Sequence, residues 1–88
     1  MKELLLEVYT PSSSAFAGKV SSVTVPGEMG NFQVLYNHAP LLSSLVEGTI
    51  KVLDIDNKLQ YFKTSGGMVE VLNNRVLILA ESFEQKEN

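Results

Sequence analysis

Apolar residues in this chain come in short runs on a two-residue period, and turn chemistry interrupts them about every ten residues. That rhythm is the strongest constraint on the fold. Alternation on a period of two makes one apolar face along an extended strand, whereas an amphipathic helix needs a period near 3.6. Leu4, Leu6 and Val8 alternate with Glu3, Leu5, Glu7 and Tyr9, which predicts a first strand facing a core. Pro11-Ser12-Ser13-Ser14 reads as a loop, because proline removes a donor and serine side chains bond locally to backbone. Phe16 to Val25 is a second extended stretch closed by Pro26-Gly27, and Phe32, Val34 and Tyr36 form a third that ends at Asn37. Leu41 to Val46 is a short fourth.

The second half continues in the same way. Thr49 to Ile55 has apolar residues on both parities, Ile50 and Val52 against Leu53 and Ile55, which predicts a bulge or burial on both faces. Asp56-Asn57 is a hairpin turn leading into Leu59 to Thr64. Ser65-Gly66-Gly67 bends the chain into Met68 to Leu72, and Asn73-Asn74 turns it into Arg75 to Ala80. That last run is apolar on both faces and reads as an interior strand. Pro11, Pro26 and Pro40 all fall at expected boundaries, where a missing ladder donor does no harm. The expected fold is therefore all-β: a small antiparallel β-sandwich of eight to ten short strands over residues 1–83. A solvated polar tail at 84–88 follows, with at most a helical turn or two between Leu79 and Lys86.

Several chemistries are excluded by residue content. Without cysteine there is no disulfide, thiolate metal site or thiol nucleophile. A net charge of −3 does not suit a nucleic-acid surface, which needs a basic face. No apolar stretch approaches the roughly 20 residues of a membrane span, nor does the N-terminus read as a secretory signal, so a soluble protein is expected. His38 is the one side chain that ordinarily titrates near neutrality, so acid–base catalysis would centre on it. Glu28 and Glu47 are its nearest acids in sequence and Ser43 and Ser44 its nearest hydroxyls, and no spacing among them matches a catalytic signature.

Gly27-Glu28-Met29-Gly30 and Ser65-Gly66-Gly67 are too acidic or too strand-bound to cradle phosphate, and read as turns. Asp54, Asp56 and Asn57 supply too few oxygens at a hairpin tip for calcium. No catalytic, cofactor or metal residues are expected. On residue chemistry alone the chain is a binding module, and Tyr9, Tyr36 and Tyr61 could line a concave patch for a peptide or small ligand.

Four blocks, in order, carry a family resemblance: Gly27-Glu28-Met29-Gly30, then Asn37-His38-Ala39-Pro40-Leu41-Leu42, then Ser65-Gly66-Gly67-Met68-Val69-Glu70-Val71, then Val76-Leu77-Ile78-Leu79-Ala80-Glu81. From about Leu4 to Ser82 the chain resembles the N-terminal β-sandwich of the epsilon subunit of rotary, F-type ATP synthase. The resemblance implies a non-catalytic rotor subunit of the central stalk. Such a subunit links the gamma shaft to the membrane ring of proteolipid subunits and supports ATP synthesis driven by the proton-motive force. It implies a ring-facing loop at Glu28, Met29 and Gly30, and a gamma-facing stretch at His38, Ala39, Pro40, Leu41, Leu42 and Ser43.

The implied location is the cytoplasmic face of the bacterial inner membrane, peripheral through protein contacts, with no nucleic-acid partner and no cofactor. Family members also carry a C-terminal helical hairpin that can block ATP hydrolysis and in some binds ATP. This sequence stops at Asn88, so no hairpin is expected in it. The segment Asn31 to Asn37 is longer than in many members.

Overall fold

The computed structural model describes residues 2–86, which form nine β-strands and contain no helix. In chain order these are β1 Leu4–Thr10, β2 Ser13–Gly27, β3 Gly30–Val34, β4 Leu41–Leu45, β5 Gly48–Asp54, β6 Leu59–Thr64, β7 Gly67–Leu72, β8 Arg75–Ala80 and β9 Glu84–Lys86. The all-β, sandwich expectation holds, with one departure from pure antiparallel pairing. β1 lies parallel to β8, from Leu5↔Arg75 to Tyr9↔Leu79.

The 15-residue strand β2 organises the molecule, because four neighbours share its two edges. On one edge its first half pairs with β1 (Leu4↔Val20 to Thr10↔Ser13) and its last third with β3 (Val23↔Val34 to Gly27↔Gly30). On the other edge it meets β5 and, at Gly27 alone, β4. One layer runs β1-β8-β7-β4 and the other β3-β2-β5-β6-β9.

A strand that serves two layers needs its inward face to change parity, and a bulge supplies the change. Val20 pairs with Asp54 and Ser22 with the adjacent Leu53, so Ser21 is the extra residue. Before it the buried residue is even-numbered, Val20; beyond it the buried valines are odd-numbered, Val23 and Val25. The core between the layers is one cluster, with Leu6, Val8, Val34, Ile50, Val52, Val69, Val71, Val76 and Ile78 all removed from solvent.

Several local expectations are corrected. The Pro11–Ser14 loop shrinks to Pro11-Ser12, since Ser13 and Ser14 already pair with Thr10 and Tyr9. Pro26 is not at a boundary but inside β2, buried opposite Asn31. It is tolerated because bonded and non-bonded pairs alternate along an antiparallel ladder. With Gly27 and Gly30 closing the hairpin, Pro26 falls on a pair that exchanges no bonds. Its carbonyl instead accepts the Val46 N–H at 2.9 Å.

β3 stops at Val34 rather than Tyr36, because β1 takes over that edge of β2 from Val20 onward. The chain then turns, with His38 N–H donating to the Leu35 carbonyl at 3.0 Å and Asn37 at φ 65°. The parity conflict in β5 comes from the bulge on β2, and Ile55 lies outside the strand, exposed. β8 is interior in the sheet order, as expected, but only one face of it is covered: Leu79 is 51% exposed.

The C-terminal segment is also more ordered than a solvated end. Phe83 stacks on Phe62 (centroids 4.2 Å apart), and Glu84–Lys86, exposed though their side chains are, pair with Lys63–Tyr61. Residues 87 and 88 of the expected tail lie outside the described residues.

The β5–β6 turn is built on Asp54. Its Oδ1 accepts the backbone N–H of Asp56 (2.8 Å) and of Lys58 (3.0 Å), while Asn57 takes φ 63°. The Lys58 bond first, with help from Asp56 and Gln60, holds the carboxyl below the ordinary aspartate value near 3.8. A depressed folded-state pKa adds stability that is full above the unfolded value and lost as pH falls through the folded one. Asp54→Ala is therefore expected to lower the thermal midpoint at pH 6. The gap from wild type should narrow below about pH 4, and a gap that widens on acidification would contradict this account.

Candidate functional site: two contact surfaces at opposite ends of β4

Glu28 and Met29 form the two-residue tip between β2 and β3, and Met29 is 99% exposed. The tip is braced. Glu28 N–H donates to the Ser44 carbonyl at 3.1 Å, and a Cβ on Gly27 would come within 2.7 Å of the Phe32 ring, so only glycine fits there. Gly30, at φ 125°, completes the reversal. This is a hairpin rather than a phosphate cradle.

The His38–Ser43 stretch begins at the other end of β4. Its loop is pinned to the β7–β8 turn by two asparagines. Asn37 N–H donates to Asn74 Oδ1 at 2.7 Å, and the Asn74 amide returns a bond to Asn37 Oδ1 at 3.4 Å. Asn73 and Asn74 both have positive φ (50° and 62°), the pair of conformations a tight two-residue hairpin needs. Sequence reading identified the turn but not the clamp, which joins residues 37 positions apart.

His38 Nδ1–H donates to the Ala39 carbonyl at 2.7 Å, so the ring is spent on its own loop. Glu28 is at the far end of β4, and among the described residues no acid is hydrogen-bonded or ion-paired to the imidazole. Within the stretch, Leu41 packs against the core while Leu42 is 65% exposed. Leu42 is therefore its one large apolar side chain standing free on the surface. β4 has five residues, so the two surfaces are separated by roughly 13 Å at about 3.3 Å per residue.

Other candidates dissolve. Tyr9 lies on β1 beside β8, Tyr36 in the turn after β3, and Tyr61 on β6 between β5 and β9, so the three do not converge. Asp54 is consumed by its own turn. Among the described residues no cluster of three or more His, Asp or Glu could hold a metal.

The blocks that carried the family resemblance come together in space. Leu41 and Leu42 pair with Val71 and Glu70, Gly67 pairs with Ala80, and Ser65 is hydrogen-bonded to Ser82. The sequence profile of the family described as "ATP synthase, Delta/Epsilon chain, beta-sandwich domain" matches residues 3–86. This chain belongs to the ATP synthase delta/epsilon chain family.

The ATP synthase epsilon chain of Desulfosudis oleivorans is 39% identical over 87 residues, 99% of this chain and 65% of that protein. The chain thus spans just under two thirds of that relative's length. The epsilon chain is a non-catalytic subunit of ATP synthase. Two solved assemblies contain a chain of the same fold. One, from Euglena gracilis mitochondrial ATP synthase (OSCP/F1/c-ring), superposes with a TM-score of 0.90 at 20% identity over 94% of this chain and 53% of its own. The other, from the central stalk and c-ring of the Tetrahymena thermophila enzyme, gives 0.75 at 18% over 91% and 64%. At those identities the likeness establishes the fold alone.

Proposed function

We propose that this chain is a rotor piece of the central stalk of an F-type ATP synthase. It joins the gamma shaft to the membrane proteolipid ring and supports ATP synthesis driven by the proton-motive force. The observation that carries this reading is the placement of two unlike surfaces at opposite ends of β4. A largely apolar surface, His38 to Ser43, faces gamma, and an acidic hairpin loop, Glu28-Met29-Gly30, faces the ring. A coupling element must touch two partners at once and pass torque between them through packed contacts. A β-sandwich whose strands share one hydrogen-bonded network and one core suits that task. Its place is peripheral, on the cytoplasmic face of a bacterial inner membrane, held by protein contacts.

The two surfaces should differ in energetics. Pro40 pre-orders the first and lowers the entropy lost on docking, so an apolar anchor there counts heavily. Glu28 offers one exposed charge, worth about 0.2–1 kcal/mol and sensitive to salt. Affinity for a cognate gamma subunit is expected to fall about tenfold or more in Leu42→Asp, equivalent to ~1.4 kcal/mol. In Glu28→Ala it should stay within about fivefold, while the ring contact weakens. Titration of gamma with each variant, after circular dichroism shows native folding, tests this. Loss of gamma binding in Glu28→Ala with normal binding by folded Leu42→Asp would reverse the two assignments.

A further inference from the structure

The outer face of the layer β3-β2-β5-β6-β9 gathers cations, although the chain as a whole carries a net charge of −3. Ile50, Val52 and Phe62 are buried and fix the inward parity. Thr49, Lys51 and Leu53 of β5 and Leu59, Tyr61 and Lys63 of β6 therefore share the outer face. Register sets one row across five strands, Gln33–Thr24–Lys51–Tyr61–Lys86. Neighbouring strands lie about 4.8 Å apart, so the row is about 19 Å long. It contains no acid. Lys51 and Lys86 flank the half-buried Tyr61, and Lys63 stands diagonal to both of them on the same face.

These lysines are exposed, and none has an ion-pair partner among the described residues. Glu84 is opposite Lys63 in register, yet the two are not ion-paired. Like charges on neighbouring strands repel, a cost in the free chain that an anionic partner removes. The other charges near this face lie at its two rims. Asp54, Asp56 and Lys58 belong to the β5–β6 turn beyond Leu53 and Leu59, and Glu47 precedes β5 at the opposite end. Asp54 is already committed to the Asp56 and Lys58 N–H groups.

We propose that this face binds an acidic peptide segment of a partner protein, laid across the strands along the Lys51–Tyr61–Lys86 row. The lysines supply the charge and Tyr61 the apolar contact. The inference goes beyond the rotor reading and does not depend on it, because the Glu28–Gly30 tip and the His38–Ser43 stretch both lie off this row. The narrowness of the acid-free row names the occupant. A helix of about 13 residues spans its length at 1.5 Å per residue and can keep its carboxylates over the lysines. An anionic bilayer would cover the rims as well, where Glu47, Asp54, Asp56 and Glu84 offset Lys51, Lys58, Lys63 and Lys86. A second copy has little to offer: on the opposite layer Glu7 is held by Arg75 and Glu3 by Lys19.

The test titrates the whole chain, labelled for amide NMR, with a Glu/Ala peptide of about 14 residues at low salt, and with a Lys/Ala peptide of the same length. Saturable shifts centred on Lys51, Tyr61, Lys63 and Lys86 are expected with the acidic peptide, and they should weaken as salt rises. The basic peptide should produce none. Lys51→Glu is expected to weaken acidic-peptide binding about tenfold or more, and Lys63→Gln by less. Neither should lower the thermal midpoint, since each relieves repulsion. Lys19→Glu, the same charge change on the other layer, should stay within about twofold of wild type. No binding by the wild-type chain, shifts centred elsewhere, or equal affinity of wild type and Lys51→Glu would overturn the proposal. Tighter binding to phosphatidylglycerol vesicles than to the peptide would also overturn it and assign the face to lipid.

Discussion

Deletion of Ser21 is expected to abolish the folded state, although Ser21 itself contributes little. The residue is the extra one in the β2 bulge, and its hydroxyl makes a single long bond of 3.3 Å to the Asp54 carbonyl. Without it, one side of β2 must slip by a residue, and a slip of one sends every inward side chain outward. If the C-terminal side slips, Val23 and Val25 leave the core and Thr24 turns in; if the N-terminal side slips, Val20 and Phe16 lose their places. Each fully buried aliphatic side chain is worth about 1.5–3 kcal/mol, and a domain of this kind has only about 5–15 kcal/mol to lose. Ser21→Ala keeps the count and should cost under about 1 kcal/mol. Amide-proton NMR spectra of both variants test this. A dispersed, native-like spectrum from the deletion variant would show that the bulge does not set the register.

Gly67→Ala is expected to cost about 3 kcal/mol or more. Gly67 sits at φ 148°, and a Cβ there would collide with the Leu79 carbonyl oxygen and come within 3.0 Å of Ala80 Cα. Both obstacles are backbone of the paired strand β8, so they cannot rotate away. Gly30 separates strain from collision, because it also has positive φ (125°) yet a Cβ there would meet nothing within 4 Å. Gly30→Ala should therefore cost only the conformational strain, about 1–2 kcal/mol. Urea denaturation of the two variants gives the comparison. Equal losses would mean that backbone conformation, rather than the close approach of β7 to β8, explains the glycine at position 67.

Those two positions mark the line between what sequence revealed and what it hid. Gly67 belongs to a Ser-Gly-Gly block that sequence reading identified as a bend, and Thr64 Oγ1 and the Gly66 backbone exchange bonds of 3.1 Å to make it. The bulge was sensed only through its effect. Mixed parity in Thr49 to Ile55 signalled an irregularity, but the irregularity lies on the partner strand, which that stretch alone cannot reveal. The same ambiguity affected Val76 to Ala80. A run apolar on both parities was read as covered on both sides, whereas tertiary packing covers Val76, Ile78 and Ala80 and leaves Leu79 bare. That bare parity belongs to the outer face of its layer, and sequence reading took it for core.

The candidate contact surfaces divide in the same way. The Glu28-Met29 tip and the His38–Ser43 stretch could be named from their residues, since glycine, asparagine and proline punctuate the chain by local conformational rules. Leu41 and Leu42 were equivalent in sequence, and only the β4–β7 register turned one inward and the other out. Local chemistry, acting over two to four residues, determined that the chain is all-β, where it turns and which runs are apolar. Pairing between residues tens of positions apart decided the rest: the parallel β1–β8 contact, the sharing of β2 between layers, the Asn37–Asn74 clamp and the gathering of Lys51, Lys63 and Lys86 on one face. These depend on which edges and faces remain free after the core has closed, and no local preference encodes that.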